Sequence, residues 1–225
     1  MRSFGWPELF FLVEALRWTI VLSAAAFVGG GIVGLLVAAL RTAPVAWLRW
    51  STRCYIELFQ GTPVLMQLFI AYYGIPVITG VQIAPWPAVT MALTLYAAAF
   101  LGEIWRGTIE SIPRGQWEAA KSLGLRYRMQ LWLIILPQAM RIAIPPTVGF
   151  LVQVIKSTAI ASIIGFIELM REGQIITNVT FQPMVVYPVV AALYFVLCWP
   201  LSALGRHLEK RIGAGRIDLN AGFGV

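Results

Sequence analysis

At 225 residues, 59% hydrophobic and 12% charged, with a mean hydropathy of +0.78, the chain carries more apolar surface than a water-soluble core can bury; soluble domains run at roughly 45–50% apolar and about 25% charged. The useful unit is therefore the membrane-spanning helix of about 20 apolar residues, and the length accommodates about five. A net charge of +7 invites a nucleic-acid reading that the placement of the cations must decide, while Cys54 and Cys198 lack the spacing of a metal site or the number for a disulfide framework and read as free thiols.

The first element lies between Arg17 and Arg41, where 23 residues carry no charge; at about 1.5 Å per residue they cross roughly 30 Å of hydrocarbon. No strongly basic stretch precedes this run and it is of spanning length, so it reads as a retained span and not a cleaved signal peptide. Gly30 and Gly34 stand in GxxxG spacing, which either lets another helix approach closely or reflects the general abundance of glycine in membrane helices. From Leu58 to Gly102 come 45 uncharged residues, enough for a hairpin of two spans. Breaks are expected at Gly74-Ile75-Pro76 and at Pro85-Trp86-Pro87, where proline removes donors and disfavours helix before it. Trp86 at the turn fits an aromatic belt. Gly61-Thr62-Pro63 predicts a further break or kink in the second span, read either as a packing kink or as the broken helix of a transport site.

The next segment, ESIPRGQWEAAKSLGLRYRMQLWLIILP, runs from Glu110 to Pro137. Its middle predicts a short helix: Pro113 suits a first turn, Glu118 to Leu123 are mostly good helix formers, and Gly124 supplies a stop. Ala119 and Ala120 predict a low-relief face that another protein surface can approach, with Glu118 as a charge beside it. On these grounds alone the segment is either a connector or a docking element. An apolar region then runs from Leu131 to Ile167, interrupted by Pro137, Arg141, Pro145-Pro146 and Lys156, which a lipid-facing helix would not tolerate. It reads as an interfacial helix that becomes an interior-facing span near Pro145. The last run, Gly173 to Gly205, is 33 uncharged residues with its membrane part at Met184–Leu204, stopped by Arg206, Lys210 and Arg211.

Five spans put the termini on opposite sides. The loop after the first span, the loop after the third and the tail fall on one side and hold 13 of the 17 cations, among them Arg41, Arg106, Arg126 and Arg216. The positive-inside rule makes that side cytoplasmic, giving an outer N-terminus and an inner C-terminus, and it removes the nucleic-acid reading. The opposite loops are the uncharged turn and a stretch with Glu168, Arg171 and Glu172.

Glu118-Ala119-Ala120, three residues, Gly124, nine residues, Ile134, one residue, then Leu136-Pro137 resembles the EAA loop of bacterial ABC-importer permeases at every defined position. The stretches Glu57–Pro76, Phe100–Gly124 and Ile135–Pro146 look like permeases for polar amino acids, of the histidine, glutamine, arginine and glutamate/aspartate group. Gln60 departs from a frequent arginine, and Lys156-Ser157-Thr158-Ala159 from a frequent Lys-Asp-Thr-Ser. The resemblance implies an all-α membrane protein over residues 1–225, with five transmembrane helices per subunit and a cytoplasmic coupling helix within about 111–137. Gly115, Glu118, Ala119, Ala120 and Gly124 are its coupling residues. It implies a separate ABC ATPase that holds ATP and Mg, since this chain has no GxxxxGK[ST] phosphate loop. It also implies a second permease subunit, identical or paralogous, a soluble binding protein and a bacterial inner-membrane location.

Polar groups inside spans face a bundle interior or a water-filled cavity; the pathway candidates are Gln60, Thr62, Gln67, Glu103, Arg106, Gln153, Lys156, Ser157 and Thr158. Glu103 and Arg106 either pair within one helix or take part in gating and substrate contact. Lys156 either attracts a substrate carboxylate or fixes a neighbouring group, and His207 reads as a membrane-surface residue ahead of a proton relay. A gradient-driven transporter or channel would show inverted repeats or several intramembrane carboxylates, whereas Glu103 is the only acid in a predicted span. A membrane enzyme would need a nucleophile with its base or a metal cluster, which one histidine and two distant cysteines do not supply.

Overall fold

The computed structural model describes residues 3–43 and 45–221, with side chains through 212, so the side chain of Arg216 lies outside those described. The described residues form helices only: α1 Trp6–Arg41, α2 Ala46–Gly61, α3 Val64–Thr79, α4 Pro85–Glu110, α5 Arg114–Ser122, α6 Tyr127–Ile164, α7 Leu169–Thr180 and α8 Pro183–Ala221. Four of them (α1, α4, α6 and α8) are long and apolar enough to cross a membrane; α2 with α3 makes a fifth if that bent pair is one span.

α1 begins earlier than the uncharged run, at Trp6, because the Glu8 carboxylate accepts the Gly5 N–H (2.9 Å) and closes the first turn. Its GxxxG glycines form a seam inside the subunit. A Cβ on Gly30 would lie 2.4 Å from the Ala97 Cβ of α4, and one on Gly34 would lie 3.2 Å from Ala98 O. From the other side, a Cβ on Gly102 would come within 2.6 Å of Val37 Cγ1. Small residues on both helices let the backbones touch, which is how membrane helices gain dispersion energy without a hydrophobic drive. Around this seam, Leu22, Ala26, Leu93 and Leu101 are buried together with Phe150 and Val154 of α6. At one end Trp86 packs with Trp18 and Phe166 (ring centroids 5.9 and 5.4 Å away), which fastens α4 to α1 and to the segment just after α6.

The break in the second span lies at Gly61-Thr62-Pro63, where α2 and α3 bend by 105°. Contrary to expectation, the chain does not break at Gly74-Ile75-Pro76. α3 passes through by widening one turn: Ile70–Gly74 is a π turn in which Ile75 N–H reaches Ile70 O, and the helix ends only at Gly80, in the left-handed region at φ +71. The same device recurs in α6, where the π turn Gln130–Ile135, closed by Leu136 N–H to Leu131 O, precedes Pro137. A wide turn shifts the carbonyls that the proline ring would strike and leaves the helix unbroken. α6 also runs on as α-helix through Pro145 and Pro146. It is one continuous helix of 38 residues, roughly 57 Å long, that closes through a 3-10 stretch, Thr158–Ile164, and Gly165 at φ +83.

The expected loop holding Glu168, Arg171 and Glu172 is mostly helix α7, at the opposite end of α6 from α5. It packs on α8 closely enough that a Cβ on Gly173 would sit 2.7 Å from Val190 Cγ2.

The seam makes Gly30→Ala the sensitive change. We expect it to destabilise the protein by about 1–3 kcal/mol through overpacking, read as a lower melting temperature in detergent. Gly107→Ala, with nothing within 4 Å of the added carbon, should melt no lower than the wild type.

Candidate functional site

α5 hangs between the ends of α4 and α6 and is locked to both. Buried Ile112 joins Ile135 and Ala139 of α6, with Trp117 and Leu131 packed against them, and Trp117 stacks on Tyr127 (5.9 Å, 16°). Gln138 Nε2 donates to Gln116 Oε1 (3.3 Å) and Gln130 Nε2 to Leu125 O (2.6 Å). The C-terminus closes as a Schellman motif: Leu125 N–H reaches Ala120 O (3.3 Å) and Gly124 N–H reaches Lys121 O (2.9 Å). Gly124 adopts φ +73, which explains the glycine. Trp117 and Ala120 thus form the inward side, and Ala120 is only 1% exposed. The expected low-relief face of Ala119 with Ala120 is corrected accordingly: Gly115, Glu118, Ala119 and Gly124 are exposed, and Ala120 is the packing contact that sets α5 against its own subunit.

Just before α5, the last turns of α4 carry a charge ladder. Arg106 donates from Nε to Glu103 Oε2 (2.9 Å), from Nη2 to Glu103 Oε1 (2.5 Å) and from Nη1 to Glu110 Oε2. The intrahelical pairing read from the spacing is what the side chains do, with Glu110 as a second acid, so the guanidinium is fully engaged.

At the α2–α3 break, Gln60 and Thr62 are exposed and Gln67 is turned onto the backbone. Its Nε2 lies 2.8 Å from Phe59 O, 3.2 Å from Thr62 O and 3.0 Å from Thr62 Oγ1, while the Thr62 hydroxyl donates to Leu58 O (2.7 Å). These groups satisfy carbonyls that the bend frees. The adjoining cavity, about 270 Å³, is lined by Leu58, Phe59, Met66 and Ile70 and is almost wholly apolar, a poor match for a zwitterion.

α6 contributes a different surface. Pro146, Gly149, Gln153 and Lys156, spaced three and four residues apart, share one exposed face, and among the described residues Lys156 makes no ion pair. Ser157 and Thr158 turn away into the bundle and donate to Gln153 O (2.9 Å) and Ile155 O (2.7 Å). A lysine within a span is costly against lipid, so this face requires protein or water beside it.

Glu168 was not anticipated. It is 0% exposed and caps α7. Its Oε1 accepts Arg171 N–H (2.9 Å), and its Oε2 accepts Met170 N–H (3.0 Å), the Tyr194 hydroxyl of α8 (2.8 Å) and the Thr19 hydroxyl of α1 (3.4 Å). Burial pushes its carboxyl above the ordinary glutamate range, against the pull of these donors. Glutamate is not a favoured N-cap, so no sequence signal marked it.

Residues 30–214 match the family described as binding-protein-dependent transport system inner membrane component. The chain is 35% identical over 201 residues to the probable amino-acid ABC transporter permease protein YckA of Bacillus subtilis, covering 89% of this chain and 88% of that protein. It is 36% identical over 208 residues to the L-cystine transport system permease protein TcyB of Bacillus subtilis, covering 92% and 87%. Among solved structures, an amino acid ABC transporter crystallised with histidines superposes with a TM-score of 0.85 at 33% identity, covering 89% of this chain and 94% of that one. The inward-facing MetNI methionine ABC transporter shares the fold, with a TM-score of 0.76 at 21% identity over 93% and 99% of the chains.

Replacing Gln67 by Leu strands the Phe59 and Thr62 carbonyls and should destabilise by about 1–3 kcal/mol. Melting in detergent checks this, and Gln60→Leu, altering an exposed side chain at the same break, should leave the melting temperature unchanged.

Proposed function

The chain belongs to the family of binding-protein-dependent transport system inner membrane components, and from that premise we propose that it is the permease subunit of an ABC importer for a polar amino acid. Two such subunits, identical or paralogous, enclose the pathway; an ATPase dimer binds α5 from the cytoplasm and a soluble binding protein delivers substrate from outside. The N-terminus is outer, the C-terminus inner, and the membrane is the bacterial inner membrane. ATP and Mg belong to the partner ATPase.

The observation that carries this reading is α5. A short helix bearing Glu118-Ala119-Ala120 and Gly124 is exposed along Gly115, Glu118 and Ala119, yet is fixed to α4 and α6 by Ile112, Trp117 and Ala120. A partner that grips the exposed side moves both helices. Because α6 is continuous from Tyr127 to Ile164, displacement at α5 reaches the exposed stripe with Gln153 and Lys156 without a joint to absorb it. That stripe is the natural lining of the pathway between two subunits, with Lys156 placed to attract a substrate carboxylate, while Glu103 and Arg106 serve as a rigid ladder above α5. The chain itself performs no covalent step.

Co-reconstitution with the ATPase and binding protein in liposomes tests the reading. Uptake of a labelled polar amino acid should require ATPase and ATP, and Glu118→Arg should cut it at least tenfold while leaving membrane insertion intact. Full-rate uptake by the permease alone would instead identify a gradient-driven transporter.

Lys156→Met should raise the KM for uptake about tenfold, a loss of roughly 1.4 kcal/mol, with assembly unchanged. An unaltered KM would return Lys156 to a purely structural role.

A further inference from the structure

The end of the bundle opposite α5 has no assigned role, and its organisation is specific. α7 has 12 residues, roughly 18 Å, too short to cross the hydrocarbon. It is held on two sides. Glu168 collects the Tyr194 hydroxyl of α8 and the Thr19 hydroxyl of α1, and Thr19 Oγ1 in turn accepts Leu169 N–H (3.1 Å). On the other side Gln174, which accepts from Arg171 Nη1 (3.1 Å), donates to Ser162 Oγ in the 3-10 end of α6 (3.4 Å). Gly173 lets α7 lie directly on Val190 of α8.

We propose that Glu168 is a positioning residue for transport: its carboxylate is the clasp that makes α1, α7 and α8 move as one unit at the end of the bundle opposite α5. An apolar residue of similar size would serve a purely structural core as well, since burying a carboxylate carries a desolvation cost that its partners only offset. What the carboxylate adds is orientation. It fixes the first turn of α7 through two backbone N–H groups and ties that turn to side chains on two other helices. Alternating access requires this end to open and close in step with α5. With the clasp intact, α7 follows α1 and α8; without it, α7 slips and ATP is hydrolysed without translocation. The proposal rests on the importer reading.

The test uses the complete complex of permease, ATPase and binding protein in liposomes, comparing wild type, Glu168→Gln, Glu168→Asp and Tyr194→Phe. Size-exclusion yield reports assembly, and parallel assays give ATP hydrolysed per amino acid imported. We expect Glu168→Gln to raise that ratio at least fivefold and lower the maximal uptake rate with an unchanged KM. Tyr194→Phe should show a smaller rise, and Glu168→Asp, which keeps the carboxylate, a partial recovery. If Glu168→Gln does not assemble, Tyr194→Phe carries the test, because its ring packing is retained. A wild-type ratio in Tyr194→Phe and in every assembled Glu168 variant would overturn the clasp. Absence of ATP-driven uptake by the wild type would instead overturn the importer reading.

Discussion

The hydrocarbon offers no hydrogen-bond partner, so every backbone N–H and C=O within it must be satisfied by the protein. That constraint explains the irregular features of this chain better than any propensity. α3 at Pro76 and α6 at Pro137 continue through proline with a π turn, two occurrences of one solution. Where the chain does break, at Gly61-Thr62-Pro63, Gln67 and Thr62 supply the hydrogen bonds that the helix gives up. Where α7 starts, Glu168 accepts two of its free N–H groups.

These repairs divide the molecule into a stiff frame and two specialised ends. The frame is the α1–α4 seam, close enough at Gly30 and Gly102 to exclude a methyl group and tight at Gly34, with α6 packed across it. One end carries α5, anchored through Trp117 and Ala120. The other carries α7, anchored through Glu168. α6 runs unbroken between them, which is why the proposed mechanism carries a push from one end to the other. The exposed stripe at Gly149, Gln153 and Lys156 lies along that rod, and in the proposed importer a small change in its tilt would alter the face it presents.

Much of this was legible in the sequence. Charge-free runs located the apolar helices, helix formers between Pro113 and Gly124 located α5 and its stop, and three-residue spacing gave the Glu103–Arg106 pair. The misplaced features each have a physical cause. Proline rules calibrated on ordinary α-helix predict a break at Gly74-Ile75-Pro76, because they do not include the wide turn that precedes Pro76. Ala120 was assigned to an outer face because composition does not say which side of a short helix its tertiary neighbours occupy. Glu168 was invisible because its role arises from Thr19 and Tyr194, which lie far from it in sequence and meet it only in the folded bundle.

We propose that α5 receives mechanical work from an ATPase. Its most direct test is a crosslink from Ala119→Cys, in a chain whose Cys54 and Cys198 have been replaced by serine, to single cysteines along the docking cleft of the partner ATPase in native membranes. An ATPase–permease crosslink that reduces uptake until a reductant restores it is expected, with none from Leu133→Cys on the exposed side of α6. Crosslinking from Leu133→Cys but not from Ala119→Cys would contradict it.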